Sequence, residues 1–181
     1  MVKKWNRRLS KILNSYRIFN TRKDTSVSPQ TGNEHEFYVI ESEDWVNVVA
    51  VTDKEEIVLI KQYRHGIMDL TIEIPGGMVE SGEDPLESAK RELLEETGYE
   101  SDRWIMIGTV NPNPAIMNNR CYSYLALDAV DSGFQRLDGT EDIDVTTLPI
   151  DKVYELISKG EITHSLVICA LHFYCKHKNG V

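Results

Sequence analysis

Residues Gly77–Tyr99 read GMVESGEDPLESAKRELLEETGY, a loop that leads into one short helix with clear signals at both ends. Asp84 is a good N-cap, and Pro85 suits the first helical position. Gly98 supplies the stop. At about 100° per residue, one side of this helix is apolar and faces a core. That side carries Leu86, Ala89, Leu93 and Leu94.

The other side of the predicted helix carries Glu92, Glu95 and Glu96 close together. Carboxylates this close repel one another unless a cation offsets them, and Arg91 can neutralise one of the charges. A hard divalent ion with oxygen ligands, Mg²⁺ or Mn²⁺, suits the rest. A solvated acidic face is the alternative interpretation of the segment RELLEE taken alone.

The complete spacing G-x5-E-x7-R-E-U-x-E-E-x-G-U, in which U is a bulky apolar residue, resembles the signature of the Nudix hydrolases. Tyr99 stands where an aliphatic residue is commoner, at a position that packs rather than reacts. The resemblance implies an α+β fold of the α/β/α sandwich type, a mixed sheet between helices with the metal site on the signature loop and helix. Strands with interspersed helices and no βαβ rhythm agree with that class.

The resemblance also implies hydrolysis of a nucleoside diphosphate linked to another group, with Mg²⁺ or Mn²⁺ as cofactor. The family's metal ligands carry over to Glu92, Glu95, Glu96 and the backbone carbonyl of Gly76. Arg91 and Glu83 then become the residues that orient those carboxylates.

A general base is needed within reach of the attacking water. In members that act on ADP-ribose or nucleotide sugars, it is an acidic residue on a loop well past the signature helix. The matching stretch here is Asp138–Ile143. We expect Glu141 to be the base or a further metal ligand, with Asp138 and Asp142 as alternatives.

The segment Gln62–Arg64 reads QYR and resembles a stretch of the ADP-ribose and nucleotide-sugar pyrophosphatases. A forked guanidinium suits diphosphate oxygens, so Arg64 is a candidate for phosphate binding, with Tyr63 beside it. Glu73 is a further candidate at the substrate site, and a surface ion pair between Arg64 and Glu73 is the alternative.

Two other residues bear on the substrate. Pro114 lies 15 residues after Tyr99, near a proline that marks the same subgroup. Trp45 is a candidate for stacking on the nucleobase, although core packing is the alternative for this ring. The predicted substrate is a nucleoside diphosphate sugar, either ADP-ribose or a hexose derivative. The alternatives are a hydrolase of dinucleoside polyphosphates or nucleoside triphosphates, and a Nudix-fold binding regulator without turnover.

The bulk composition limits the partners. The chain has 181 residues, of which 41% are apolar, enough for one domain with a real core. Residues 1–23 hold eight Lys or Arg and no acid, and residues 24–181 hold 12 basic against 29 acidic side chains. The excess of acidic side chains over residues 24–181 argues against nucleic acid as a partner. The three cysteines have no zinc spacing, and no apolar run reaches membrane-spanning length, which together predict a cytoplasmic protein.

The first residues are predicted to be helical. Residues 3–18 place apolar side chains at roughly helical spacing among basic ones. We therefore predict a basic helical segment over 1–24, ahead of a Nudix hydrolase domain over 25–181. Packing of this segment on its own domain or on a second subunit is favoured over membrane contact. In similar enzymes, N-terminal strands cross to a second subunit and help to build the nucleotide pocket, so a homodimer is expected.

The later elements follow from pattern alone. The predicted strands are Phe37–Ile40, Val46–Thr52, Ile57–Tyr63, Thr71–Ile74, Trp104–Val110, Cys121–Asp128 and Ile143–Thr147. Two helices, Asp151–Lys159 and Thr163–His177, close the chain.

Overall fold

The computed structural model describes residues 1–137, 139 and 141–180, and the chain divides into two compact units. One unit comprises Met1–Glu43 and Asn111–Arg120. The other comprises Asp44–Val110 and Cys121–Val181. The predicted general-base alternative Asp138 lies outside the described residues.

The smaller unit contains an antiparallel sheet of three strands in sequential order. These are β1 (Asn6–Ser15), β2 (Asn20–Val27) and β3 (Glu34–Glu41). A tight turn joins β2 to β3, since the N–H of Ser28 donates to the carbonyl of Asn33. The buried carboxylate of Asp24 on β2 accepts hydrogen bonds from Ser10 and Arg22.

The helix predicted within residues 1–24 is wrong, because this segment forms β1 and much of β2. The pairing of β1 with β2 is irregular between Arg7 and Leu9 and between Ile12 and Asn14. Such bulges interrupt the two-residue alternation of a strand and leave apolar residues at apparent helical spacing. All ten residues of β1 are also exposed, so no buried face imposes a clear period on its sequence.

The larger unit contains a mixed sheet of eight strands. The strands are β4 (Trp45–Thr52), β5 (Glu56–Arg64), β6 (Asp69–Glu73), β7 (Gly76–Met78), β8 (Tyr99–Glu100), β9 (Arg103–Val110), β10 (Cys121–Asp131) and β11 (Ile143–Pro149). Among the described residues of this sheet, only the pairing of β4 with β10 is parallel. The seven strands predicted from the sequence are present within a few residues, whereas β1, β2, β7 and β8 were not predicted.

Helices cover both faces of this sheet, which confirms the α/β/α sandwich. Helix α1 (Pro85–Thr97) buries Ala89 and Leu93 against Val48 and other residues of one face. Helices α2 (Ile150–Ser158) and α3 (Ser165–Lys178) bury Val153 and Leu171 against the opposite face. Among the described residues, no helix has both the length and the apolar character needed to cross a membrane.

Candidate active site

Helix α1 presents the acidic cluster, and its ends are fixed as the sequence predicts. The Asp84 carboxylate accepts a 2.8 Å hydrogen bond from the N–H of Leu86, with Pro85 at the first helical position. Gly98 ends the helix in the left-handed region, at φ 75°, and its N–H donates to the carbonyl of Leu94. Because both ends are fixed, the glutamates in the last two turns have a defined orientation toward the loop before the helix.

Glu96 is the most buried of these glutamates, with 4% of its surface exposed. Its Oε2 accepts a 2.8 Å hydrogen bond from the backbone N–H of Gly76. Burial raises the pKa of Glu96 to about 8; the bond from Gly76 opposes the rise, and the charges of Glu92 and Glu141 add to it. A cation near Glu96 would therefore relieve a real electrostatic cost.

Arg91 binds the other two carboxylates of the acidic cluster, those of Glu92 and Glu95. Its Nη1 donates to Oε1 of Glu92 at 2.8 Å and to Oε2 of Glu95 at 3.1 Å. Burial opposes the charge of Arg91, but the carboxylates around it outweigh burial and raise its pKa. Burial likewise raises the pKa of Glu92, and Arg91 offsets part of that rise. Arg91 thus holds two candidate metal ligands in a fixed arrangement.

Glu83 holds Arg91 from the other side, as the sequence predicts for a residue that orients the cluster. Its carboxylate accepts hydrogen bonds from Nη2 of Arg91 at 3.2 Å and from the hydroxyl of Ser88. The bond from Arg91 is the main reason that the pKa of Glu83 is lowered. Ser88 was not predicted, although a serine on the otherwise apolar buried side of the helix was a signal that could have found it.

The two glycines before the helix allow this close approach. A Cβ atom on Gly77 would lie 2.4 Å from Oε1 of Glu92, and one on Gly76 would lie 2.3 Å from the carbonyl oxygen of Val46. The clash at Gly76 is with backbone, so only glycine fits there, whereas a side chain in place of Gly77 would force the Glu92 carboxylate to move. The Gly76–Met78 strand can therefore lie directly between β4 and the glutamates.

Glu141 acts electrostatically on the same carboxylates. Its negative charge raises the pKa of Glu92 and of Glu96, and it also raises the pKa of Arg64. Asp142 is exposed. Glu141 thus interacts electrostatically with two carboxylates of α1, and its role as a base or a metal ligand stays a prediction.

Arg64 forms a forked ion pair with Glu73. Nε donates to Oε1 and Nη2 donates to Oε2, both at 2.7 Å. Glu73 is buried, with 3% of its surface exposed. The ion pair that the sequence left as an alternative is therefore present, and contact of Arg64 or Glu73 with a phosphate stays a prediction.

The other candidates for substrate binding have more open positions. The Tyr63 ring is half exposed and meets the ring of His65 edge-on, with centroids 5.0 Å apart. Trp45 is half-buried at the start of β4, opposite Met78 and Cys121 of the neighbouring strands. Pro114 is exposed in the smaller unit. Their contact with a substrate stays a prediction.

The chemistry of the cluster fits a hard divalent cation. Among the described residues, no three His, Cys, Asp or Glu side chains already form a metal cage. The donors nevertheless are carboxylates, which Mg²⁺ and Mn²⁺ prefer, and burial together with the charges of neighbouring carboxylates raises the pKa values of Glu92 and Glu96. The residues that would hold the ion are Gly76, Glu92, Glu95, Glu96 and Glu141.

Comparison with known proteins bears on the family and the fold of the chain. Residues 41–171 match the family model described as the NUDIX domain. The chain is 32% identical to a methanol dehydrogenase activator from Bacillus methanolicus and 30% identical to an ADP-ribose pyrophosphatase from Bacillus subtilis. Each match covers 71% of this chain and 70% of the relative. The crystal structure of an ADP compounds hydrolase has the same fold, with a TM-score of 0.84, 18% identity, and coverage of 99% of this chain and 97% of that one.

Proposed function

This chain belongs to the Nudix hydrolase family, and we propose that it hydrolyses the diphosphate bond of nucleoside diphosphate sugars. The products are a nucleoside monophosphate and a sugar phosphate. The candidate substrates are ADP-ribose and nucleoside diphosphate hexoses. An ADP-ribose pyrophosphatase among the relatives, 30% identical over 71% of this chain, supports this substrate class.

The observation that carries the proposal is the arrangement of Arg91, Glu92, Glu95 and Glu96 against the Gly76–Gly77 backbone. Hydrolysis of a diphosphate brings water to a phosphorus that anionic oxygens surround, and further negative charge develops on the leaving phosphate. A bound divalent ion would polarise those oxygens and lower the pKa of the attacking water. Arg91 binds the carboxylates of Glu92 and Glu95, and Glu83 binds Arg91, which is the kind of support that metal ligands receive from neighbouring side chains.

Glu141 is the proposed general base. Its negative charge acts on Glu92 and Glu96, and this interaction supports a position of the side chain near the proposed metal site. A carboxylate there can accept the proton of the attacking water and can also contribute to metal binding. Arg64, whose positive charge interacts with Glu141, is the proposed ligand of the diphosphate. Tyr63 and Trp45 are proposed to lie next to the nucleoside or sugar.

A homodimer is part of the proposal. Strand β1 is exposed along its whole length, and the exposed fractions of Leu9, Ile12 and Leu13 are 70%, 42% and 41%. Apolar exposure of this extent on a long strand is typical of an interaction surface. We expect dimers in sedimentation experiments and weaker association for Leu9→Asp.

The cytoplasm is the proposed location. Cys121, Cys169 and Cys175 are all free thiols, which a reducing compartment maintains.

The proposed reaction can be tested with ADP-ribose, nucleoside diphosphate hexoses, dinucleoside polyphosphates and nucleoside triphosphates, each with Mg²⁺, with Mn²⁺ and with a chelator. Metal-dependent release of a nucleoside monophosphate and a sugar phosphate supports the proposal. Preferential cleavage of polyphosphates would instead indicate the other hydrolase class. Binding without turnover for every compound would indicate a regulatory module.

A further inference from the structure

Glu73 has a buried carboxylate whose two oxygens both accept hydrogen bonds. Arg64 occupies one edge of it, with Nε on Oε1 and Nη2 on Oε2. The hydroxyl of Thr71 donates to Oε1 at 2.6 Å. His164, just before α3, places its Nε2 4.0 Å from Oε2. A carboxylate enclosed in this way has little surface left for contact with a substrate.

The charge of Glu73 is nevertheless favourable in this buried position. Burial alone would raise its pKa, but the hydrogen bonds from Arg64 and Thr71 outweigh burial and lower the pKa below its usual value. The carboxylate is therefore ionised when it binds Arg64. Charge-assisted forked pairs of this kind fix the plane of a guanidinium as well as its position.

Two carboxylates of the candidate site act electrostatically on the guanidinium of Arg64. The charges of Glu96 and Glu141 both act on Arg64, and Arg64 in turn lowers the pKa of Glu96. The ion pair uses Nε and Nη2, so the Nη1 amino group with its two N–H donors lies outside it. About 43% of the Arg64 side chain is exposed to solvent.

We propose that Thr71 and Glu73 are positioning residues, which fix the guanidinium of Arg64 so that Nη1 is presented to the diphosphate of the substrate. Glu73 thereby acts through Arg64 and does not itself bind substrate. Thr71 acts one step further away, because its hydroxyl fixes the carboxylate that fixes Arg64. The contact of Nη1 with a diphosphate rests on the proposed hydrolysis. The fixed position of the guanidinium does not, because it is a property of the free protein.

The first test measures the motion of the Arg64 Nε–H bond by ¹⁵N relaxation in the full chain without substrate. We expect a rigid bond in the wild type and a clearly lower order parameter in Thr71→Val, which keeps the shape of the side chain and removes the hydroxyl. Thr71→Ser should restore the rigidity. Glu73→Gln gives a second variant of nearly unchanged shape, with the same expected loss. An equally rigid Nε–H in the wild type, Thr71→Val and Glu73→Gln would overturn the proposal.

The chain offers a matched control. Thr147 on β11 donates to Glu56 at 2.7 Å, which is also a bond from a threonine hydroxyl to a glutamate carboxylate, although it joins two strands whereas Thr71 and Glu73 share β6. Glu56 and Arg64 stand at opposite ends of β5, roughly 26 Å apart for a strand of this length. Thr147→Val should leave the Arg64 signal unchanged. An equal loss in Thr147→Val would show a general loosening of the sheet and would contradict specific positioning.

The second test is kinetic and uses a nucleoside diphosphate sugar that the wild type cleaves. Thr71→Val should raise KM about threefold to tenfold, as expected for the loss of one hydrogen bond, with a smaller change in kcat. In an Arg64→Lys background the same change should have almost no further effect on KM, because the lysine cannot form the fork. Independent effects of the two changes would overturn the inference.

The two tests separate this inference from the proposed function. If the wild type cleaves no nucleoside diphosphate sugar, the proposed function fails, and the relaxation measurements still decide whether Thr71 and Glu73 fix Arg64. If the wild type is active but Thr71→Val changes neither the Arg64 signal nor KM, the positioning role fails and the proposed function stands.

Discussion

The backbone N–H of Gly76 donates a 2.8 Å hydrogen bond to Oε2 of Glu96, which joins the glycine turn to the last turn of helix α1. The bond holds a buried carboxylate against a backbone that has no room for a side chain. Stability alone would favour a neutral group at this position, because burial is what raises the pKa of Glu96. Retention of a carboxylate there is therefore best explained by binding of a cation.

We expect Glu96→Gln to abolish most of the activity without loss of stability. A glutamine can keep the bond from Gly76 through its carbonyl oxygen, and it carries no charge whose burial would be unfavourable. Loss of a metal ligand should remove several kcal/mol of transition-state stabilisation and lower kcat by about a thousandfold. Steady-state kinetics and thermal unfolding measure the two effects. Glu87→Gln is the control on the same helix, because Glu87 is paired with Lys90 on the exposed side and should keep full activity. Near-normal kcat in Glu96→Gln would contradict the metal assignment.

Glu141→Gln tests the general base. Removal of a positioned base should lower kcat by about a hundredfold to ten-thousandfold, with a smaller effect on KM. Asp142→Asn and Asp138→Asn are the matched comparisons on the same loop. If Glu141→Gln retains wild-type kcat and one of the aspartate variants loses it, that aspartate takes the role.

Arg91→Lys should lower both activity and stability. Arg91 binds Glu83, Glu92 and Glu95 at once, and a lysine cannot form these bonds in one geometry. Loss of charge-assisted bonds should lower the free energy of unfolding by about 1–3 kcal/mol. Denaturant titration measures this change, and Lys90→Gln serves as control because its bond to Glu87 is exposed. Equal stability of Arg91→Lys and the wild type would mean that the arginine does not hold the cluster together.

The sequence predicted helix α1 better than it predicted the smaller unit. Helix α1 has a cap, a stop and a buried side in one local segment, and its glutamates are fixed by helix periodicity, so short-range information was sufficient. The central strands were predicted for a similar reason, because residues such as Val48 and Leu59 lie in buried strands with strong local patterns, whereas the arrangement of strands between helices came from the family resemblance. Strand β1 lacks such a pattern. Its structure depends on pairing with β2, which local spacing does not encode.

Long-range contacts explain the other gaps. The pair between Arg64 and Glu73 depends on the register of β5 with β6, and the bond from Thr71 to Glu73 links two residues of β6. The sequence offered that pair only as an alternative to phosphate binding. The effect of Glu141 on Glu92 depends on a loop that returns to α1 after more than forty residues. Periodicity does not provide such information, and the family resemblance supplied it in part.

Cys121 should be unreactive in the folded protein. Its thiol is buried, and burial raises its pKa to about 12. At pH 8 only about one molecule in ten thousand would carry the reactive thiolate. We expect iodoacetamide at pH 8 to label Cys121 only after denaturation, whereas the half-buried Cys169 is labelled faster. Peptide mass spectrometry of native and denatured samples measures this, and equal native labelling of both residues would contradict it.

Gly108→Ala should destabilise the fold and leave the chemistry unchanged. A Cβ atom at Gly108 on β9 would lie 2.3 Å from ring carbons of Phe173 on α3, so the ring or the helix must move. Overpacking of this kind lowers the free energy of unfolding by about 1–3 kcal/mol. The new methyl group points toward α3, on the sheet face opposite α1, so kcat per folded molecule should equal that of the wild type. Gly66→Ala is the control, because a Cβ there meets no atom of the described residues within 4 Å.

Phe173→Leu should restore part of the stability of Gly108→Ala by giving the new methyl group room. If the double variant is no more stable than the sum of the two single effects predicts, the contact with Phe173 is not the cause of the loss.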